Sequence, residues 1–305
     1  MPADPVDTCV GGSRGRLGSL GCMPLRSRTA LLGASACAVL LALVWFAAFH
    51  IPVFRHADQS IYLQFVALQD HGRIAWIAHH LVPLFDPDPY VYLVLVPIIL
   101  ALLRRRLRVV IAVAAIVLGA NITTELLKHV ITTPRAGSLF ADGVSWLPGG
   151  SWPSGHSTAV MSLVLASVLA APGLLRPAVA ALGAVLSVAV GYSLLATGVH
   201  YPSDVLGGFL VAAMWTLGTV GALLAAEEWR PSPRAGRDRV SVRAALGAPS
   251  AVLIGAVVLS GFLAAARPHA VLSYARAHEA FVLGAAGIAA LSLALSTAVV
   301  LSARR

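Results

Sequence analysis

Lys128, the chain's only lysine, is followed seven residues later by Arg135 in a Thr132-Thr133-Pro134-Arg135 stretch. Two cations so placed suit an anion with several oxygens, because lysine brings a point charge and arginine a planar fork of donors. Glu125, three residues before Lys128, is placed to orient it. Residues 149–158 read Gly-Gly-Ser-Trp-Pro-Ser-Gly-His-Ser-Thr and run into an apolar stretch. Pro153 can open a helix without forfeiting a hydrogen bond. Ser154 and Gly155 then present backbone N–H groups at a helix N-terminus, where an anion is favoured, and Gly155 permits close approach. His156 falls in the first turn, beside the same anion. His200 and Asp204 are four apart at the head of a further apolar stretch. On a helix that spacing shares one face, and an aspartate that fixes one ring nitrogen leaves the other ready to attack.

Each group also has a plainer reading. Lys128 and Glu125 suit an interfacial ion pair with a snorkelling lysine, Ser154 suits a helix cap, and His200 with Asp204 suits a capped helix start. A zinc site built from His129, His156, His200 and Asp204 is the rival chemistry. Lys128 and Arg135 argue against a cation in that pocket and for a dianionic phosphate, so no metal and no cofactor is expected.

The elements that must carry these residues are long and apolar. The chain has 305 residues, of which 58% are hydrophobic and 11% charged, against about 25% charged in soluble proteins. Apolar blocks fall at 29–50, 89–103, 108–127, 156–172, 177–196, 204–226, 247–266 and 279–301, each near the ~20 residues that cross a bilayer. The fold expected is all-α: a polytopic membrane helical bundle with a six-helix core plus two C-terminal transmembrane helices. The block at 89–103 is short and can start earlier, near Pro83. Arg26 and Arg28 precede a first block too long for an ordinary signal core, so it reads as a retained span. Cys9, Cys22 and Cys37 make neither a disulfide framework nor a metal-ligand spacing.

Eight crossings put both termini on one side. That side would hold Arg14, Arg16, Arg26, Arg28, Arg104, Arg105, Arg106, Arg108, Arg176, Arg230, Arg234, Arg237, Arg239, Arg243, Arg304 and Arg305, which are 16 of the 22 basic residues. The other side would hold Arg55, Arg73, Lys128, Arg135, Arg267 and Arg276. Positive charge stays cytoplasmic, so both termini are expected inside and the segments 128–155 and 197–203 outside. The arginine clusters lack the interleaved aromatics of a single-strand binder, and no nucleic-acid partner is expected. By domain, residues 1–28 read as a disordered cytoplasmic tail, 29–226 as the core, 227–246 as a cytoplasmic basic loop, and 247–305 as two added spans that could pack, bind a partner or form a homo-oligomer face. Leu139, Phe140, Trp146, Leu147 and Trp152 give the 138–152 segment an aromatic surface that suits either lipid contact or packing over the bundle.

In order and spacing these residues resemble the type 2 phosphatidic acid phosphatase (PAP2) superfamily, over roughly residues 50–226. Its first pattern, a lysine, six residues and Arg-Pro, runs here from Lys128 to Arg135. Its Pro-Ser-Gly-His is Pro153-Ser154-Gly155-His156. Its third pattern begins at Ser193 and reaches His200 and Asp204. The resemblance implies a metal-independent membrane phosphatase acting on a lipid phosphate or pyrophosphate, and the arginine distribution puts its site on the extracytoplasmic side of the cell membrane, or the luminal side if the membrane is internal. His200 would be the nucleophile, oriented by Asp204, and His156 the proton donor. Lys128, Arg135, Ser154, Gly155 and His156 would bind the phosphate, with Glu125, Pro153 and Ser193 in support. Two positions depart from the pattern. Ala136 replaces proline, which alters loop stiffness. Leu194 replaces an arginine that would contact the phosphate, a loss of about 3 kcal/mol in transition-state stabilisation. Arg55, Arg73, Arg267 and Arg276 are the candidate substitutes, and Leu194→Arg is expected to raise turnover if the pocket keeps the family geometry. A lipid-linked phosphotransferase, a catalytically weak lipid-phosphate binder and a transporter are the alternatives.

Overall fold

The computed structural model describes residues 25–131, 150–229 and 241–303. Every regular element among them is helical: α1 (Leu25–His50), α2 (Pro52–Val66), α3 (Gly72–Leu81), α4 (Pro87–Leu103), α5 (Leu107–Val130), α6 (Gly155–Ala170), α7 (Arg176–Ala196), α8 (Pro202–Trp229), α9 (Val242–Ala266), α10 (Pro268–Ala277) and α11 (Glu279–Ala303). The polytopic all-α bundle expected from composition is the one that forms. Leucine, alanine and valine runs saturate their backbone hydrogen bonds within the helix, as a hydrocarbon environment demands.

All eight apolar blocks become helix, but six among the described residues are long and apolar enough to cross a membrane: α1, α5, the segment Gly173–Ala196, α8, α9 and α11. The other two blocks differ for separate reasons. The block at 89–103 is the second limb of a broken pair, in which Gly72–Phe85 and Pro87–Leu103 meet at 70°. Pro87 cannot donate a backbone hydrogen bond to the preceding turn, and Asp86 before it takes an extended conformation (φ −62°, ψ 155°). The block at 156–172 yields α6, only 16 residues long. It is nonetheless the bundle's axis, packed against α4, α5, α7, α8 and α11. The region before residue 89, which carries no long apolar block after the first span, also folds: α2 and α3 are short helices between α1 and the break before α4.

The core gathers around α6 and α8, with Val160, Leu165, Phe209 and Leu210 enclosed. α1 lies along α8, and α5 and α7 flank α6. α9 stands at the periphery with almost all of its length exposed. The expected boundaries shift by a few residues: α1 starts inside the 1–28 segment, and α8 and α9 enter the 227–246 segment from both ends. The rest of both segments, and the 132–149 stretch with Arg135, Leu139, Phe140, Trp146 and Leu147, lie outside the described residues. Trp152 is buried in the core, so for this residue packing prevails over lipid contact.

Candidate active site

Two helix heads meet. Ser154 is the N-cap of α6, and its side chain accepts from the Ser157 N–H. The helix starts at Gly155, so Pro153 lies one residue before the cap rather than in the first turn. The Ser154 N–H, expected to be open to an anion, instead donates to the Asp204 carbonyl at 3.0 Å. That bond fastens the head of α6 to the head of α8. Close packing makes it possible: a Cβ on Gly208 would stand 2.7 Å from the Ser154 carbonyl oxygen and 2.9 Å from the Thr158 nitrogen. Behind the contact, the Thr124 and Thr158 hydroxyls bond at 2.9 Å and register α5 against α6.

That register brings in Lys128 from the last turn of α5. Its ammonium is held by Glu125 Oε1 at 2.7 Å, the pairing expected from their spacing. A Cβ on Gly155 would lie 3.2 Å from Lys128 Nζ, so the cation rests against the bare backbone at the head of α6. A helix head with a cation beside it is where an anion is favoured.

His200 comes from the loop before α8, which begins at Pro202. The four-residue spacing therefore does not lie within a helix, as the sequence suggested. The Asp204 carboxylate folds back across the helix start, accepting from the Tyr201 N–H at 3.0 Å and from His200 Nδ1 at 3.3 Å. Asp204 is fully enclosed. With Nδ1 donating to that carboxylate, His200 Nε2 carries the free lone pair. The loop is set from beneath by Gly198, whose left-handed conformation (φ 74°) ends α7. Its carbonyl accepts from the Tyr62 hydroxyl at 3.0 Å. Burial, and after it the neighbouring Tyr201, pushes the Tyr62 phenol above its usual range, so it remains a donor.

The His156 and His200 rings lie 6.5 Å apart between centroids, at 64°. A phosphoryl group attacked in line by one ring nitrogen, with its leaving oxygen protonated by the other, needs about 7 Å between those nitrogens. The geometry admits that arrangement. Ser193, in α7, is buried and stands one turn before the loop. His129 is exposed, with Nδ1 on the Glu125 carbonyl, and no group of three or more metal-ligating side chains is assembled among the described residues.

Two acidic residues of the site carried no recognisable signal in sequence. Asp86, at the break before α4, accepts from His156 Nε2 at 2.8 Å. As an N-cap it makes no side-chain bond to its own helix, forgoing about 1 kcal/mol of capping. Asp58, on α2, receives both the Ser203 N–H (2.9 Å) and the Ser203 hydroxyl (2.8 Å). Both lie far upstream of the motif residues, and only the folded chain brings them close. Leu194 is fully enclosed in the core. Arg55, Arg73, Arg267 and Arg276 all lie at exposed positions. Beside the turn that delivers His200, an open cleft of about 560 Å³ is lined by residues including Gln69, Trp76, His79, His80, Ala196 and Thr197.

Residues 108–227 match the family model of the PAP2 superfamily. The family resemblance is thus borne out over a span that holds Lys128, His156, His200 and Asp204, and it begins after Asp58 and Asp86. Among solved structures, the chain is similar to the crystal structure of the first transmembrane PAP2-type phosphatidylglycerolphosphate phosphatase from Bacillus subtilis. The identity is 20% and the TM-score 0.48, over 66% of this chain and 98% of that one. No curated protein matches.

Proposed function

From the PAP2 match over residues 108–227, we propose that this multi-pass membrane protein is a lipid-phosphate phosphatase working through a phosphohistidine. The observation that carries the reading is the meeting of His156 and His200, rings 6.5 Å apart, at a helix head against which Lys128 also rests. His200 Nε2 attacks phosphorus while the bond to the leaving oxygen breaks, and that oxygen takes the His156 Nε2 proton. Asp204 stabilises the charge that develops on His200 through Nδ1. Water, deprotonated by the now neutral His156, then attacks phosphorus and releases phosphate and His200. Lys128, the head of α6 and Arg135 hold the equatorial oxygens. No metal takes part, so chelator leaves the rate unchanged.

A lipid substrate suits a site at the ends of spanning helices with an open, partly apolar cleft beside it. The arginine distribution supports cytoplasmic termini and an extracytoplasmic site. A cysteine introduced at exposed position His71, in a chain freed of Cys9, Cys22 and Cys37, is then labelled in intact cells by an impermeant maleimide. The deciding experiment for the chemistry is brief exposure of purified protein to labelled phosphatidate, followed by mapping of an acid-labile adduct to His200. Phosphate release that is equal in wild type and His200→Ala would defeat the reading.

One observation favours a second, weaker reading, a slow or mainly phosphate-binding homologue. The position of the family arginine holds an enclosed leucine, and none of the four candidate substitutes is buried. Phosphate analogues that bind without any histidine adduct would support it.

A further inference from the structure

The role inferred here for Asp86 rests on the phosphatase reading and deepens it. The leaving oxygen must accept the proton of His156 Nε2, and in the structure that N–H is engaged by Asp86 Oδ1 at 2.8 Å. Two acceptors addressing one N–H lie about 3–5 Å from each other. Asp86 therefore borders the place where the leaving group departs. The carboxylate serves His156 rather than its own helix, since it stands at the N-cap of α4 yet makes no side-chain bond there. The 70° break between the two limbs puts it in this position, with about half of its side chain exposed.

We propose that Asp86 is a specificity-determining residue that selects phosphomonoesters, whose leaving group is a neutral alcohol, over diphosphates. The bond changes differ only on that side of phosphorus. In both substrates the His200–phosphorus bond forms and the phosphorus–oxygen bond breaks. From a monoester, the oxygen that takes the His156 proton departs as an uncharged alcohol. From a diphosphate it departs on a lipid monophosphate, which keeps negative charge. Once His156 has given up its proton, Asp86 has lost its cationic partner and faces that charge unscreened. Like charges about 5 Å apart at a half-exposed site oppose each other by roughly tenfold in rate. A hydroxyl on the departing alcohol, in contrast, can donate to the same carboxylate.

The test uses the purified full-length protein in detergent with a prenyl monophosphate and the prenyl diphosphate of the same chain length, compared by initial kcat/KM. The wild type favours the monophosphate by tenfold or more. Asp86→Asn compresses that preference about tenfold by raising diphosphate turnover, and Asp86→Ala does the same, whereas Asp86→Glu keeps the preference. A structural role would lower both substrates together and leave the ratio unchanged. The inference is overturned by a wild type that favours the diphosphate, or by a ratio that stays within twofold in both neutral variants. If one variant fails to fold, the other and the wild-type preference still decide. A wild type that hydrolyses both substrates equally removes this selectivity alone. One that hydrolyses neither and forms no adduct removes the phosphatase reading and this inference with it.

Discussion

At the head of α6 the cap is local, since Ser154 receives the N–H of Ser157 three residues on. At the head of α8 the corresponding groups of Ser203 are received by Asp58, 145 residues earlier on another helix. The first head forms wherever its own few residues turn into a helix. The second is complete only when α2 has docked. The same division runs through the chemistry. Lys128, Gly155 and His156 form a phosphate and proton-donor half whose residues lie in short sequence patterns, with Asp86 the one remote partner, on His156, and His200 with Asp204 forms a nucleophile half whose loop and helix head are held by Tyr62 and Asp58 from another helix. If the halves are distinct in role, they can be broken separately.

The largest separation is expected from His200→Ala against His156→Ala. Loss of the nucleophile lowers kcat by about 10⁴ or more on every substrate and abolishes the adduct. Loss of the proton donor lowers it by about 10²–10⁴ on an alkyl phosphate, but much less on an aryl phosphate whose leaving group needs no proton. Steady-state rates on the two substrate types, with adduct trapping, check both. Equal sensitivity of His156→Ala to leaving group would merge the two halves into one.

Next in size is Leu194→Arg. The family pattern alone predicts a gain in turnover. The structure predicts the reverse, because the Leu194 side chain is fully enclosed. A buried, unpaired guanidinium there costs about 3 kcal/mol or more, so the melting temperature falls and phosphate release does not rise. A stable variant with faster release would mean that position 194 reaches the pocket and that the nucleophile half is more open than its packing indicates.

This contrast marks what the sequence could convey. Apolar run length specified the bundle, because a bilayer demands long saturated helices whatever their neighbours. Two of the blocks form shorter helices than the other six, α6 with 16 residues and the limb after Asp86 with 17. Lys128, Ser154, Gly155 and His156 were legible since their roles derive from local spacing and helix-end electrostatics. His200 and Asp204 were legible as a pair, but in the wrong local frame: a carboxylate folded back over a helix start produces the same spacing as one helical turn. Asp58 and Asp86 were not legible at all. An aspartate before Pro87 reads as an ordinary cap, and nothing in its neighbours announces that its carboxylate serves a histidine 70 residues later.

The joint between the two heads gives a smaller, graded effect. A Cβ on Gly208 would meet the Ser154 carbonyl oxygen at 2.7 Å and Ser157 Cβ at 2.8 Å, neither of which can yield without moving the head of α6. A Cβ on Gly155 meets the tips of Lys128 and Glu125 at 3.2 and 3.7 Å, which can yield. Gly208→Ala is therefore expected to lower stability by about 1–3 kcal/mol and kcat with it. Gly155→Ala is expected to leave the melting temperature near wild type and raise KM, because only the cation is displaced. Thermal unfolding in detergent beside KM and kcat for phosphatidate distinguishes the two. The same profile for both glycines would mean that Lys128 is part of the scaffold and not of the anion site.

The smallest effect tests the opening contrast most directly. Asp58→Asn retains the shape and one acceptor for Ser203 but loses the charge that faces the start of α8, a change worth about 1 kcal/mol. Because Asp58 touches Ser203 and not the phosphate, the loss should appear as a lower melting temperature and a modest fall in kcat, less than about tenfold, at unchanged KM. Ser154→Ala removes a cap of similar worth, but at a head that also faces the anion, so KM should rise as well. A cap that only supports and a cap that also binds thus leave different traces at nearly the same cost in stability. If Asp58→Asn raised KM as much as Ser154→Ala does, the head of α8 would share in holding the phosphate, and the two halves of the site would differ in how they are built but not in what they do.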